Sequence, residues 1–323
     1  MTIKKIGVMT SGGDAPGMNS CIRAVVRTGL YKGLQMVGIQ EGFSGLVFGD
    51  MQALTAREVG GILQRGGTIL GTARCMEFME KKGQREAVRN INEAGLDAVI
   101  VIGGDGSMRG AQVLSENGIN VVGIPGSIDN DLWGTNMSIG TDTALNTIRN
   151  AIDQLRDTAS SHRRAFIVET MGRNCGYLAV MAGLIGGAEM VLIPEVETTV
   201  EEVAAAIEAA YTRGKTHAII VVAEGASVKA AELSERINSM DVGFTSRVTI
   251  LGHIQRGGRP SAFDRLLATR MGVAAVEWLI AGQPNVMTGL QGRDIEPIAL
   301  TDVIANQRGA NLDYYEMCRM LAF

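Results

Sequence analysis

The sequence predicts an α/β fold built on mainly parallel sheets, and three observations predict it. Short apolar runs of strand length alternate with stretches of helical periodicity through the chain. The clearest run, residues 97–102, is apolar after its first residue, as a buried strand is. Nearly every such run stops at a loop rich in Gly, Asp or Arg, where open parallel sheets bind their ligands.

The first strand, residues 5–10, breaks at Ser11-Gly12-Gly13-Asp14-Ala15-Pro16-Gly17-Met18-Asn19. A helix over 20–30 follows, with Ile22, Val25, Val26 and Leu30 at helical spacing. Strand, Gly-rich turn and helix form half of a nucleotide-binding βαβ unit, but the turn matches neither the dinucleotide fingerprint nor the P-loop pattern. Arg23 and Arg27 share one face of that helix, either as a solvated face or as an anion-binding pair. Residues 35–39 read as a second strand. The loop 65–74 combines glycines and hydroxyls with an arginine at each end, which suits a bound anion.

A helix is predicted over 85–93, and then the strand 97–102 ends in Gly103-Gly104-Asp105-Gly106-Ser107. Glycines there let the backbone approach a ligand, and the central carboxylate suits Mg²⁺ beside phosphates. The run 121–125 ends in a Pro-Gly break that delivers Ser127, Asp129 and Asp131. In an extended loop the two aspartates, two apart, lie on one side, one to take a proton and one to face a metal. Alternatively both carboxylates cap backbone N–H groups in an Asx-type turn. Spacing leaves both readings open.

Further on, a helix is predicted over 143–157 and a strand over 165–168 ending in Glu169-Thr170-Met171-Gly172-Arg173. An apolar run follows at 190–193. A helix starts at Thr198-Thr199 with a hydroxyl cap and early acids, and it reaches about Tyr211. The strand 217–223 ends at Glu224-Gly225. The strand 246–251 opens into Gly252-His253-Ile254-Gln255-Arg256-Gly257-Gly258-Arg259, before a helix over 261–281.

Bulk properties exclude several classes of function. The 323 residues allow two domains and a large core, although no composition break marks a boundary. A hydrophobic content of 46% with net charge -4 predicts a soluble globular protein. Thirty basic against thirty-four acidic residues, with a pI near 5.6, argue against a nucleic-acid partner. Four scattered cysteines and three histidines offer no zinc spacing, and reduced thiols are expected. The start Met1-Thr2-Ile3-Lys4-Lys5 has no leader character, and no apolar stretch reaches about 18 residues. A cytoplasmic protein with no membrane partner is the expectation.

The loops add up to one chemistry. Asp105, Asp129 and Asp131 suit a magnesium–phosphate end, and Arg74, Arg164, Arg173, Arg247 and Arg256 suit bidentate contacts to phosphate oxygens. Phosphoryl transfer asks a protein for alignment, charge neutralisation and a base for the attacking hydroxyl. Five segments then carry a resemblance: 10–19, Gly103 to Ser107, Pro125 to Asp131, Met171-Gly172-Arg173 and Gly252 to Gly258. In order and spacing they resemble the ATP-dependent 6-phosphofructokinases of bacterial type, over essentially the whole chain.

That resemblance implies phosphorylation of D-fructose 6-phosphate at its 1-hydroxyl by ATP with Mg²⁺, on two doubly wound Rossmann-like domains. It puts 1–138 plus about 251–301 in a larger ATP-binding domain. The smaller, sugar-phosphate-binding domain is about 139–250 plus 302–323. Asp129 is implied as the base, with Ser127 and Arg173 as further catalytic residues and Asp105 and Asp131 as metal carboxylates. Gly13, Arg74, Cys75, Gly104, Asp105, Gly106 and Ser107 match ATP positions. Ser127, Ile128, Asp129, Met171, Gly172, Arg173, Glu224, His253, Ile254, Gln255 and Arg256 match sugar-phosphate contacts. Arg164 and Arg247 match residues that reach the sugar phosphate from a neighbouring subunit, implying a homotetramer.

Gly106 and Gly126 stand where pyrophosphate-using relatives carry bulkier residues, so ATP is the implied donor. Ser127 replaces the family's usual Thr and keeps the hydroxyl. Arg23, Arg27, Arg156, Gly187, Glu189, Arg213, Lys215 and His217 match an effector site for ADP or phosphoenolpyruvate. Ala56 and Gly61 depart from that site's pattern, which puts ADP activation in question. Two rivals stand beside this reading: a pyrophosphate-dependent or other sugar-phosphate kinase, and a non-catalytic sensor of sugar phosphate or nucleotide. A sensor would leave Asp129 and Asp131 without a role.

Overall fold

The computed structural model describes residues 3–322. Met1 and Thr2, on which the expectation of a leaderless start partly rests, lie outside them. Contacts divide the chain into two units. The larger comprises the chain up to Ile128, Leu132–Thr143 and Arg256–Gln307; the smaller comprises Asp129–Asp131, Ala144–Gln255 and the chain from Arg308 on.

In order, the first elements are β1 (Lys5–Ser11), α1 (Met18–Tyr31), β2 (Gln35–Ile39), α2 (Phe43–Phe48), β3 (Met51–Leu54), α3 (Lys81–Glu93), β4 (Ala98–Gly103), α4 (Asp105–Glu116) and β5 (Asn120–Pro125). Then come α5 (Thr141–His162), β6 (Arg164–Thr170), α6 (Tyr177–Gly186), β7 (Met190–Leu192), α7 (Val200–Thr212), β8 (Ala218–Ala223), α8 (Ala230–Asn238) and β9 (Thr245–Ile250). The chain continues through α9 (Ala262–Ile280), β10 (Val286–Gln291), β11 (Asp294–Ala299), α10 (Leu300–Ala305) and α11 (Leu312–Leu321).

The larger unit holds a seven-stranded sheet in the order β11-β10-β5-β4-β1-β2-β3. Its five central strands are parallel, and the edge strands β3 and β11 run antiparallel to their neighbours. Register is what matters for function. Ser11 pairs with Gly103 and Gly103 with Pro125, so β1, β4 and β5 end in line. Val99, Ile100, Val101 and Ile102 of β4 are fully buried, each such side chain contributing about 1.5–3 kcal/mol. Met9, Val99, Val101, Met108, Leu114 and Leu300 share one core cluster, in which Phe43 and Phe78 stack at 4.4 Å.

In the smaller unit all four strands are parallel, in the order β7-β8-β6-β9. Thr170 pairs with Ala223 and Glu169 with Ile250, so the loops after β6, β8 and β9 leave the sheet side by side. Ile167, Ile220, Val203, Ile207 and Leu233 form its core.

Two local expectations are corrected. The Gly103–Ser107 stretch is not a free loop, because Asp105 is already the first residue of α4. The chain at Asp129–Asp131 is not extended either. It bends at Ile128 and Asp129, and Asn130 is left-handed with φ 52°. The simple i, i+2 argument for two carboxylates on one side therefore fails.

Candidate functional site

In the larger unit the aligned strand ends bring the Gly-rich segments together. Thr72 Oγ1 donates to the Gly12 carbonyl at 2.6 Å, and Thr10 Oγ1 donates to that of Gly71 at 2.8 Å. Asn19, in the first turn of α1, accepts from Ile69 N at 2.8 Å and donates to the Arg65 and Gly66 carbonyls. The loop 65–74 is thereby fastened to the turn that holds Gly13. Arg256 closes over the same turn, its Nη1 donating to the Asp14 carbonyl at 3.2 Å. A Cβ on Gly13 would lie 2.2 Å from that Nη1, so a side chain there would displace the Arg256 guanidinium from the turn.

The N-terminus of α4 opens at the end of β4, where first-turn N–H groups lack helical acceptors and favour anions. Ser107 Oγ is buried there with no hydrogen-bond partner among the described residues. Asp105 pairs with Arg109 at 2.9 Å, one turn along the helix, with both side chains substantially exposed. A Cβ at Gly106 would meet nothing within 4 Å, whereas one at Gly126 would press on Met18 and Ile102 at 3.1 and 3.3 Å. A side chain at Gly126 would need Met18 and Ile102 to give way slightly, whereas one at Gly106 would displace nothing. Arg74 is exposed, and Cys75 is half-buried with its thiol 3.6 Å from Glu77. Ser127 lies beside Gly104, and its carbonyl accepts from Thr141 Oγ1 at 3.0 Å.

In the smaller unit Asp129 and Asp131 flank the buried Asn130. The Cys175 thiol is pushed up to about 12 by burial, and then by the charges of Glu195, Asp131 and Asp129. Arg173 Nε donates to Glu224 Oε1 at 3.2 Å, joining the loops after β6 and β8. The turn is tight: a Cβ on Gly225 would sit 1.9 Å from the Arg173 carbonyl, and Gly172 has φ 122°. His253 and Ile254 are exposed after β9, in a short 3-10 turn.

Several residues expected as sugar contacts have buried side chains, Met171 among them at 5% exposed. Ile128 is fully buried, and so is Gln255, whose amide accepts from Met171 N at 3.2 Å and donates to the Gly252 carbonyl. One chain does not bring Arg164 and Arg247 to the same place as Arg173. Arg164 starts β6 and Arg173 follows its far end, about 20 Å away along a strand. Arg247 pairs with Phe166, on the same face of the sheet as Arg164.

The effector-type residues of the smaller unit form one network. Arg156 Nη1 lies 3.3 Å from His217 Nε2, and its Nη2 donates to the Gly186 and Gly187 carbonyls at the end of α6. Lys215 pairs with the buried Glu189 at 3.3 Å, and Lys215 and Arg213 both donate to the Ala322 carbonyl. Burial, then the Arg156 charge, holds His217 below its usual value. A cavity of about 410 Å³ adjoins them between β7, α7 and α11. Arg23 and Arg27 lie on α1, in the larger unit. Gly61 takes φ 68° with open space around it.

Sequence reasoning missed Arg109, Asn19, Tyr177 and Asp264. Arg109 sits four residues after Asp105 and becomes visible once α4 is known to start there. The other three act through partners far away in sequence, and only Asn19 stood inside a quoted motif.

Known proteins resemble this chain over nearly its whole length. The family model described as Phosphofructokinase matches residues 5–279. An ATP-dependent 6-phosphofructokinase of Natranaerobius thermophilus is 50% identical over 320 residues, covering 99% of this chain and 100% of the relative. One from Thermotoga neapolitana is 48% identical over 321 residues, with coverage of 99% and 100%. Among solved structures, Pichia pastoris phosphofructokinase in the T-state superposes with a TM-score of 0.90 at 38% identity. That match covers 94% of this chain but only 36% of the longer Pichia chain. A pyrophosphate-dependent phosphofructokinase from Nitrosospira multiformis, 18% identical with a TM-score of 0.88, shares the fold. Its match covers 99% of this chain and 91% of its own. With a family model matched over residues 5–279 and relatives about half identical along nearly the whole chain, the chain belongs to the phosphofructokinase family.

Proposed function

We propose that this chain transfers the γ-phosphoryl group of ATP to the 1-hydroxyl of D-fructose 6-phosphate, giving fructose 1,6-bisphosphate and ADP. The observation that carries the reading is the nucleotide end of the larger unit. There an unobstructed Gly106, the open N-terminus of α4 and the orphan Ser107 hydroxyl meet the turn holding Gly13. Such a cradle suits a polyphosphate, and relatives with half of this sequence are named for ATP.

On this reading Gly13, Arg74, Cys75 and Gly104 to Ser107 hold the nucleotide. Met171, Gly172, Arg173, Glu224, His253, Ile254 and Arg256 hold the sugar phosphate. Asp129 takes the proton of the attacking hydroxyl, and Ser127 and Arg173 hold the transferred group in line. Mg²⁺ fits the residues present. Among the described residues no three His, Cys, Asp or Glu gather into a cage. A cation carried by nucleotide phosphates needs only one or two carboxylates, and the resemblance names Asp105 and Asp131 for that role. When bound, it neutralises phosphate charge.

The strand geometry also supports a shared site. Because Arg164 and Arg247 stand back along β6 and β9 from Arg173, they serve the sugar phosphate of a neighbouring subunit in a homotetramer. Arg156, Gly187, Glu189, Arg213, Lys215 and His217 serve an effector anion such as ADP or phosphoenolpyruvate, and the resemblance assigns Arg23 and Arg27 to the same role at a site between subunits. No helix among the described residues is long and apolar enough to cross a membrane.

A donor panel with purified protein tests the first claim. Turnover of fructose 6-phosphate is expected with ATP and not with pyrophosphate, and the reverse order would overturn it. Dilution to a monomer, verified by sedimentation, is expected to abolish activity. Constant activity per subunit in that monomer would remove the shared site.

A further inference from the structure

We propose that Tyr177 is a positioning residue for the Asp129–Asp131 pair, acting through Asn130; this rests on the proposed role of Asp129 as the base. Asn130 is 0% exposed and left-handed at φ 52°, so the chain turns sharply between the two carboxylates. Asparagine takes that conformation more readily than most residues, chiefly where its side-chain amide is hydrogen-bonded nearby. Its buried amide also requires hydrogen-bond partners. One of them is the Tyr177 side chain.

Tyr177 is well placed to hold something still. It is the first residue of α6, and the N–H of the preceding Gly176 donates to both Glu195 oxygens at 3.0 and 3.1 Å. Glu195 Oε1 also accepts from Ala310 N at 2.7 Å. The same segment sends the Arg308 guanidinium over the Tyr177 ring, 5.7 Å from its centre, as a cation–π contact. The ring is thus fixed by a helix start, a carboxylate tie and a covering cation. Its hydroxyl end reaches the residue that decides where Asp129 and Asp131 point. Neither Tyr177 nor Asn130 needs to touch substrate for this.

The test is Tyr177→Phe, which keeps the ring under Arg308 and removes the hydroxyl. Amide hydrogen exchange in the peptide over 128–132 is expected to quicken by about tenfold or more, while β8 exchanges as before. In the same protein kcat is expected to fall about 5- to 50-fold with both KM values within about twofold, since small misplacement of a reacting group costs rate and not ground-state binding. Native exchange in the turn, or an unchanged kcat, overturns the proposal. If Tyr177→Phe does not fold, Asn130→Gly serves, because glycine takes the same φ without the amide. It is expected to give the same two changes, and wild-type values in it overturn the proposal as well. A wild-type protein that turns over no fructose 6-phosphate defeats the functional reading instead, and the exchange measurement then decides on Tyr177 alone.

Discussion

Replacing Asp129 by Ser is expected to lower kcat about 10²–10⁴-fold while leaving the KM for fructose 6-phosphate within about threefold. The fold supports this split. Asp129 sits with Asp131 and Asn130 in the smaller unit, at a left-handed turn that aims two carboxylates. The groups assigned to hold the sugar phosphate, Arg173 and Glu224 above all, belong to separate loops after β6 and β8. Serine removes the base and leaves those loops intact. An acid that acts as base contributes in the transition state, so its loss appears in kcat. Steady-state kinetics with saturating ATP is the measurement. A variant with near-normal kcat would show that the proton leaves by another route. A large rise in KM at constant kcat would instead make Asp129 a binding group.

Much of this site was legible in the sequence, for a physical reason that also marks where legibility stops. A buried parallel strand needs an unbroken apolar run, and the chain must break out of it with glycine or a polar residue. The boundaries of β2 and the ligand loops after β1, β4, β5, β6 and β8 therefore stand out in one dimension. The start of α7 does as well: Thr199 accepts from Glu202 N at 3.2 Å while the Glu202 carboxylate accepts from Thr199 N at 2.7 Å, a capping box confined to four residues.

Elements whose pattern is not local were missed. Helix α6 is apolar nearly all round, so it shows no amphipathic period. Helix α4 carries Gly106 and Gly110, which lower helix propensity; Gly110 is needed because a Cβ would strike the Phe43 ring at 2.3 Å. The hairpin of β10 and β11 hides behind Gly289, where a side chain would meet the Gly134 carbonyl at 2.1 Å. The sequence leaves the turn at Asn130 undecided for a similar reason. Its left-handed backbone is held by groups such as Tyr177, forty-odd residues away, and a dipeptide spacing carries no trace of them.

Asp264 is the strongest case of such hidden dependence, and its removal is expected to have the largest effect on stability. It lies in the first turn of α9, fully buried, and its carboxylate accepts from Gly140 N at 2.9 Å, Thr143 N at 2.8 Å and Thr143 Oγ1 at 2.6 Å. It thus caps the start of α5, a helix from elsewhere in the chain. Ser261, the residue capping α9, donates to Asp142 in return. Asp264→Ala leaves two buried N–H groups without this acceptor and is expected to cost about 3 kcal/mol or more in urea unfolding.

Burial pushes the Asp264 carboxyl up to about 6, outweighing the three hydrogen bonds that pull it down. Because the folded value lies above the unfolded one, the folded protein binds the extra proton between about pH 4 and 6. The contribution of this group to stability is therefore fully present below about pH 4, and it is lost as pH rises through about 6. The change amounts to about 3 kcal/mol. Asp264→Asn cannot titrate, so the stability difference between wild type and this variant is expected to fall across that window and stay flat above it. A difference independent of pH would show that the three donors cancel the effect of burial. Since Thr141 at the same helix start donates to the Ser127 carbonyl, a weakened cap also loosens the loop that leads to Asp129. Loss of kcat in Asp264→Asn under conditions where it remains folded would measure that coupling.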